Sequence, residues 1–202
     1  HTEFFVGDTI LVDIKVDSED KEINTVEGKI SLNYLPEAVL IKDINLSESR
    51  FSLWPNKPLL SEDLKAISFV GGVPSGLKSD DATLFRVVLN LNKSGTVALN
   101  PTNISVYLND GKGTKDALST ESLVIDVLPK KTDHDAINDL ETLISEDKTP
   151  PNPFKILAGK DDSIFEGKKF LSFDTTDAQS GIKYYEVIED GSSPVRSGGT
   201  YV

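Results

Sequence analysis

Residues that commonly carry out acid–base, nucleophilic or metal chemistry are scarce in this sequence. It contains no cysteine and only two histidines, His1 and His134. Cysteine nucleophiles and thiolate metal sites are therefore excluded. Two histidines offer few ways to build a histidine-based catalytic triad or zinc site. Aspartate and glutamate total 33 residues, so carboxylate pairs arise by coincidence, and no short motif signals the paired carboxylates of a glycosidase cleft. The sequence predicts a protein that is not an enzyme.

The stretch NDGKGTKD, residues 109–116, is the best candidate for a metal site. Oxygens of Asn109, Asp110 and Thr114, together with turn carbonyls, could supply part of the roughly six to eight oxygen ligands that calcium takes. The stretch does not fit the EF-hand pattern, because Gly111 stands where a ligand is expected and no glutamate closes the loop. Asn-Asp-Gly is also an ordinary turn sequence. We expect a turn, with a structural calcium site as the alternative and no other cofactor.

The stretch RFSLWPNKP, residues 50–58, contains the only tryptophan. An exposed Trp54 beside Phe51 could form a platform that stacks on a sugar ring or anchors a protein partner. The alternative is that Trp54 caps the hydrophobic core, flanked by turn prolines. Both interpretations stay open at the level of sequence.

The glycine-rich stretch SFVGGVPSG, residues 68–76, could in principle bind phosphate or shape a turn. A phosphate loop needs a helix N-terminus behind its glycines. The residues after Gly76 alternate like a strand instead, and they include Asp80 and Asp81, which would repel phosphate. The stretch therefore predicts a chain reversal at the edge of a β-sandwich.

Apolar and polar residues alternate with a period of two along most of the first 128 residues, which is typical of half-buried strands. The first strand places four apolar residues on one side: Ile10, Val12, Ile14 and Val16. A second strand follows over residues 24–34, where Gly28 predicts a bulge. Further strands separated by Gly, Pro, Asn, Asp and Ser predict an all-β sandwich. Ile14 and Ile30 are expected to lie in its core.

The composition changes after Pro129. Residues 130–150 are polar and charged, and only Ile137, Leu140, Leu143 and Ile144 follow helical spacing, which predicts a linker with a short helix. Prolines 150, 151 and 153 stiffen the chain beyond it. Residues 151–202 contain too few strands for a complete β-sandwich of about 100 residues. We therefore expect a first domain at 1–129, a linker at 130–150 and a partial β module at 151–202.

The chain is acidic, with a formal net charge of −12. Nucleic acids and anionic membranes would be repelled by such a surface, so neither is expected as a partner. No apolar run approaches the roughly 20 residues that span a bilayer. An apolar fraction of 38% is too high for a disordered chain.

Four stretches, in order and spacing, resemble bacterial cohesin domains. They are VGDTILVDIKVDS at 6–18, INTVEGKISLNYLPEAVLI at 23–41, ISFVGGVPSG at 67–76 and YLNDGKGT at 107–114. The resemblance spans residues 4–128 and implies a nine-stranded jelly-roll sandwich, a fold that some carbohydrate-binding modules share. Family members usually have an apolar strand before the VGDT turn. Only HTEFF precedes that turn here, so this strand is expected to be short or cut away, with an edge exposed. The tail DTTDAQSGIKYYEV is similar to Ig-like or fibronectin-like modules.

The resemblance implies a non-catalytic, extracellular protein–protein interaction module that binds a dockerin-type partner in a cell-surface assembly. It also implies attachment to the cell surface through regions outside this sequence. No contact residue can be assigned from it. The alternatives are a carbohydrate-binding module on the same fold, with polysaccharide as ligand, and a structural adhesin or stalk segment.

Overall fold

A computed structural model describes residues 3–34, 37–46, 48–160, 165–173, 175–177, 179–197 and 200–202. His1 lies outside the described residues. No helix among the described residues is long and apolar enough to cross a membrane.

The described residues between 3 and 128 fold into two facing β-sheets, so the predicted all-β sandwich is confirmed. The strands are β1 (Phe4–Phe5), β2 (Thr9–Val16), β3 (Ile23–Asn33), β4 (Val39–Asn45), β5 (Leu53–Leu60), β6 (Ala66–Leu77), β7 (Ala82–Leu91), β8 (Gly95–Leu108) and β9 (Leu123–Leu128). Six of them form one sheet in the order β1-β9-β8-β3-β6-β5, and β2-β7-β4 form the other. The described part of the sandwich thus has nine strands.

The hydrophobic core lies between the two sheets and consists of the apolar sides of the alternating strands. Ile10, Val12 and Val16 of β2 are buried in it, as is Ile30 of β3. Ile14 is only half-buried, because the pairing of β2 with β7 shifts register between residues 14 and 15. The expectation that Ile14 lies in the core is met in part, since its half-buried side chain packs against the core.

The glycine-rich stretch lies inside the 12-residue strand β6 rather than at a chain reversal. The predicted turn is wrong because Gly71 serves packing instead. A Cβ atom on Gly71 would lie 2.7 Å from Cζ3 of Trp54. The glycine therefore leaves room for the indole ring to lie directly on the backbone of β6, which pairs with β3 and β5.

Gly28 sits at a bulge, as the sequence predicts. The register of β3 against β8 shifts between residues 27 and 29. Gly28 has a φ of +153°, and a Cβ atom there would lie 2.5 Å from Cδ1 of Ile104. Only glycine fits this combination of backbone conformation and close approach.

Beyond the sandwich, the chain forms one short α-helix, one 3-10 turn and five short strands among its described residues. They are α1 (Asp139–Glu146), β10 (Leu157–Lys160), the 3-10 turn (Phe165–Gly167), β11 (Lys169–Ser172), β12 (Tyr185–Val187), β13 (Val195–Ser197) and β14 (Thr200–Tyr201). The Asn138 side chain caps α1 by accepting a hydrogen bond from the Glu141 amide. Phe173 is buried beside Tyr185, with ring centroids 5.1 Å apart. The assignment of an Ig-like module remains a prediction.

Candidate partner-binding surface

The outer face of the six-stranded sheet, on strands β8, β3, β6 and β5, is turned away from the hydrophobic core. Cross-strand register fixes which side chains share it. Glu27 of β3 lies opposite Val70 of β6 and Ser105 of β8. Lys29 lies opposite Ser68 and Thr102 in the next row. On the edge strand β5, Asn56 and Leu59 continue these two rows.

This outer face is apolar at one side and polar at the other. Near β5, Leu53 and Leu59 are 52% and 70% exposed, and Val70 is half-buried beside them. Towards β8 the face carries Lys29 together with hydroxyl groups. Between β3 and β5 it is indented by a groove of about 640 Å³, whose lining includes Leu59, Val70 and Lys29. The surface can offer apolar contact and charge to a partner at the same time.

Hydrogen bonds hold the polar side of the outer face in place. The Tyr107 hydroxyl donates to Glu27 Oε1 at 2.7 Å. The Lys115 ammonium lies 5.3 Å from the centroid of the Tyr107 ring and donates to the Ser105 hydroxyl. A preorganised surface of this kind loses less entropy when a partner binds.

The structure places Phe51 and Trp54 in and beside the core rather than on an open platform. Phe51 is 1% exposed. Trp54 is half-buried, packs against the core and donates from Nε1 to the Phe51 carbonyl at 3.1 Å. Its ring face is occupied by the β6 backbone at Gly71. Of the two sequence interpretations, the geometry favours the core cap, because a buried Phe51 cannot stack on a ligand.

The structure brings Asp110 and Thr114 together, but as parts of a turn. Asp110 Oδ1 accepts from the Lys112 amide, and Oδ2 accepts from the Thr114 hydroxyl. These hydrogen bonds, the Thr114 one foremost, lower the pKa of Asp110. Asn109 points away, donating to Glu22 at 3.1 Å. Among the described residues no group of three histidine, cysteine or acidic side chains is arranged to hold a metal.

Asp8, in the turn between β1 and β2, is a buried carboxylate whose role the sequence did not predict. It is 0% exposed. Its Oδ2 accepts from the Phe5 amide, and its Oδ1 accepts from the Ile137 amide and contacts His134 Nε2 at 2.8 Å. Burial alone would raise the pKa of Asp8, but these hydrogen bonds outweigh it and lower the pKa. The local sequence around Asp8 does not show that it contacts residues more than 120 positions away in the chain.

Arg86 forms a second buried charge cluster, on the outer side of β7. Its guanidinium donates to both oxygens of Asp13, at 2.6 and 3.0 Å, and lies 3.5 Å from Glu48. The hydrogen bond to Asp13 is the main reason that the pKa of Arg86 is raised. This two-point pairing joins β2 to β7. The cluster is therefore structural.

Comparison with solved structures identifies the architecture of the sandwich. A non-cellulosomal cohesin from the archaeon Archaeoglobus fulgidus is 20% identical with a TM-score of 0.51, over 62% of this chain and 85% of that one. The sandwich has a cohesin-like fold. A cohesin module from a Clostridium perfringens family 33 glycoside hydrolase (21% identity, TM-score 0.50, 63% and 91% coverage) agrees. The seventh ScaB type I cohesin from Pseudobacteroides cellulosolvens also agrees, with 16% identity and a TM-score of 0.53 over 66% of this chain and 91% of that one.

The cohesin-like fold is what these comparisons establish, since their sequence identities are all 21% or lower. No family model matches the sequence, and the search of curated proteins finds no match. Function has to be argued from the surface that the fold presents.

Proposed function

We propose that the cohesin-like sandwich is a non-catalytic module that binds another protein, and that it does so outside the cell in a surface assembly. The observation that carries the proposal is the outer face of β8, β3, β6 and β5. This face combines the exposed side chains of Leu53 and Leu59 with charged Glu27 and Lys29 on a rigid sheet. Exposed apolar area with a polar surround is typical of protein-binding surfaces.

A protein partner suits this face better than a polysaccharide. Sugar-binding sheet faces depend on aromatic rings against which sugar rings stack. Strands β3, β6 and β8 contain two aromatic residues. Phe69 is buried, and the hydroxyl of Tyr107 is engaged with Glu27. Trp54 on β5 packs on the β6 backbone. The face therefore lacks the row of rings that a polysaccharide would need.

We propose a dockerin-type module as the partner, on the strength of the sequence resemblance to cohesin domains. A pair of amphipathic helices would meet the outer face with apolar side chains against Leu53 and Leu59. Acidic groups on the partner would meet the exposed Lys29. Apolar contacts on the β5 side and charged contacts on the β3 side would together fix the orientation of the partner.

Affinity capture with matched variants tests this function. Three immobilised baits are exposed to extracts and secreted proteins of the source organism, with calcium or with chelator. The baits are the unaltered chain, a face variant carrying L59D and K29E, and a control variant, L40D. Leu40 is 53% exposed on β4 of the other sheet. One protein, identified by mass spectrometry, should bind the unaltered and control baits but not the face variant.

Two results of this capture, and one result of a polysaccharide-binding assay with the same proteins, would decide between the functions. Calcium-dependent capture of a protein with a duplicated calcium-loop sequence would establish the dockerin-type partner. Retention of the chain on insoluble polysaccharide, lost in the face variant, would assign carbohydrate binding instead. Equal capture by all three baits, or by none, would contradict a binding role for this face.

A further inference from the structure

The groove on the outer face crosses the strands of the six-stranded sheet instead of following them. Its lining comes from four neighbouring strands, with residues 55–59 on β5, 68–70 on β6, 27–29 on β3 and Asn103 on β8. Three intervals of about 4.8 Å between neighbouring strands give a length of about 14 Å across the sheet. Along β3 and β6 the lining covers three residues each, which is about 7 Å. Over these inner strands the groove is therefore elongated across the sheet.

The irregular edge strand β5 forms one wall of the groove. Its register against β6 shifts twice, between residues 53 and 56 and between residues 56 and 59. Pro55 and Pro58 lie at these two shifts, and neither has an amide hydrogen to donate to a neighbouring strand. All of residues 55–59 line the groove, whereas a regular strand presents only alternate residues to one side. The prolines therefore account for a wall that a regular edge strand would not form.

An apolar contact and a cation lie on opposite sides of β6 in this groove. Leu59 and Lys29 are both opposite Ser68, from the two strands that flank β6. Leu59 is 70% exposed, and Val70 of β6 is half-buried beside it. A side chain placed over Leu59 and Val70 would lie about one and a half strand spacings, or about 7 Å, from the β3 backbone at Lys29.

The charge of the groove favours an acidic group on the partner. Two lysines, Lys29 and Lys57, and one acid, Glu27, line it, although the chain as a whole has a formal net charge of −12. Lys29 is exposed and forms no ion pair with any residue that the structure describes. The Glu27 carboxylate accepts a hydrogen bond from the Tyr107 hydroxyl at 2.7 Å. A carboxylate over Lys29 would gain an ion pair, and an ammonium group there would be repelled.

A helix suits the direction of the groove better than an extended chain does. Strands β3 and β6 already have a neighbouring strand on both sides, so their main chains are not available to pair with an added strand. On an α-helix, residues four positions apart share one face and are about 6 Å apart along the axis. This spacing matches the distance of about 7 Å between the apolar contact and Lys29.

We propose that the groove selects a partner helix that carries a large apolar residue and, four positions away, an acidic residue. The apolar side chain enters the groove over Leu59 and Val70, and the carboxylate pairs with Lys29. Residues one helical turn apart are the usual anchors when a groove binds a helix. The inference rests on the proposed function, because it specifies which partner the same surface accepts.

Synthetic helices test this pattern with the full chain. The probe is a 21-residue alanine-rich helical peptide with phenylalanine at its position 9 and glutamate at its position 13. A control peptide of the same composition has the glutamate at position 11, on the other side of the helix. Binding is followed by NMR of the isotope-labelled chain. We expect the probe to shift amide signals within residues 27–29, 56–59 and 68–70, and to bind about three- to tenfold more tightly than the control.

Single substitutions at exposed positions test the two contacts separately. K29E should reverse the charge preference, so that a peptide with lysine at position 13 binds about three- to tenfold more tightly than the glutamate peptide. S68W, which fills the groove between Lys29 and Leu59, should weaken binding of the probe at least about tenfold, because the phenylalanine can no longer be buried. L40W, at an exposed position of the other sheet, should leave binding unchanged.

The outcomes separate this inference from the proposed function. Equal binding of the two glutamate peptides, an unchanged charge preference in K29E, or no binding at millimolar peptide would overturn the recognition pattern. In affinity capture from the source organism, a protein retained by an S68W bait but lost by the face variant would also overturn the pattern, while the proposed function would stand. Capture of no protein by any bait would contradict the proposed function, and the peptide measurements would still decide the pattern.

Discussion

The Asp8 carboxylate and the His134 imidazole lie 2.8 Å apart, although they are separated by 126 residues in the chain. The same carboxylate accepts hydrogen bonds from the Phe5 and Ile137 amides. The ring of Phe5 in turn lies 4.4 Å from the His134 ring, centroid to centroid. The beginning of the sandwich and the segment that leaves it are thereby joined around one buried acid. We infer that residues 131–138 are an extension of the sandwich rather than a free tether.

The first prediction concerns this junction. D8A would leave the Phe5 and Ile137 amides buried without acceptors, and each such loss costs about 1–3 kcal/mol. We expect the free energy of unfolding in urea to fall by about 2–6 kcal/mol in total. D133N, an exposed neighbour of His134, should change it by less than about 0.5 kcal/mol. Equal effects of the two variants would show that Asp8 does not carry the junction.

The contribution of Asp8 should depend on pH. Because its pKa is lowered in the folded state, the stabilisation is fully present above the unfolded-state pKa of about 3.9. It is lost as the pH falls through the folded-state value. The stability difference between the unaltered chain and D8N should therefore be constant near neutral pH and shrink below about pH 4. A difference that persists unchanged in acid would contradict a charged Asp8.

The second prediction separates the two adjacent glycines of β6. G71A should displace the Trp54 ring, which a Cβ atom would approach to 2.7 Å, whereas the nearest atom to a Cβ on Gly72 is the Asn24 carbonyl at 3.4 Å. We expect G71A to cost about 1–3 kcal/mol by overpacking. It should also shift the emission of the single tryptophan. G72A should do neither, and identical spectra for G71A and the unaltered chain would refute this packing.

The third prediction concerns the turn at Asp110. Both carboxylate oxygens already accept hydrogen bonds within the turn, so we expect millimolar calcium to leave the melting temperature of chelator-treated protein unchanged. D110A should lower the melting temperature slightly through loss of those hydrogen bonds. A calcium-induced rise in melting temperature that D110A abolishes would instead establish the calcium site.

The fourth prediction concerns the region between the modules. Helix α1 has no buried residue, whereas residues 134 and 137 are tied to Asp8. Trypsin should therefore cut after Lys148 before it cuts after Lys131, although both side chains are exposed. The fragment 1–148 should melt cooperatively. In D8A, cleavage after Lys131 should accelerate. Earlier cleavage after Lys131 in the unaltered chain would instead support a linker that begins at residue 130.

The period-two pattern made the sandwich predictable from the sequence. Each strand that buries one side against a single core has to alternate, as β2 and β3 do, and Gly28 marked its bulge correctly. The pattern also located α1 approximately, since Leu140 and Leu143 follow helical spacing. What alternation shows is which residues face inwards within one strand, not which strands meet.

The features that the sequence did not give depend on contacts between distant residues. Gly71 resembles a turn glycine locally, and only the approach of Trp54 from the neighbouring strand explains it. In the sequence, Asp8 resembles an ordinary turn residue. Its role depends on Ile137 and His134, which are distant in the chain and contact it only in the folded structure. The composition of the outer face could not be predicted from the sequence either. Lys29 and Leu59 share one surface because of the pairing between strands, and spacing within a single strand does not show that pairing.

Site-specific photo-cross-linking tests the central claim most directly, that the outer face of β8, β3, β6 and β5 binds a protein. A benzophenone side chain is placed at position 59 on that face or at position 40 on the other sheet, and each protein is irradiated with extracts and secreted proteins of the source organism. The account predicts one dominant protein adduct from position 59 and none from position 40. Adducts of the same protein in equal yield from both positions, or from position 40 alone, would contradict it.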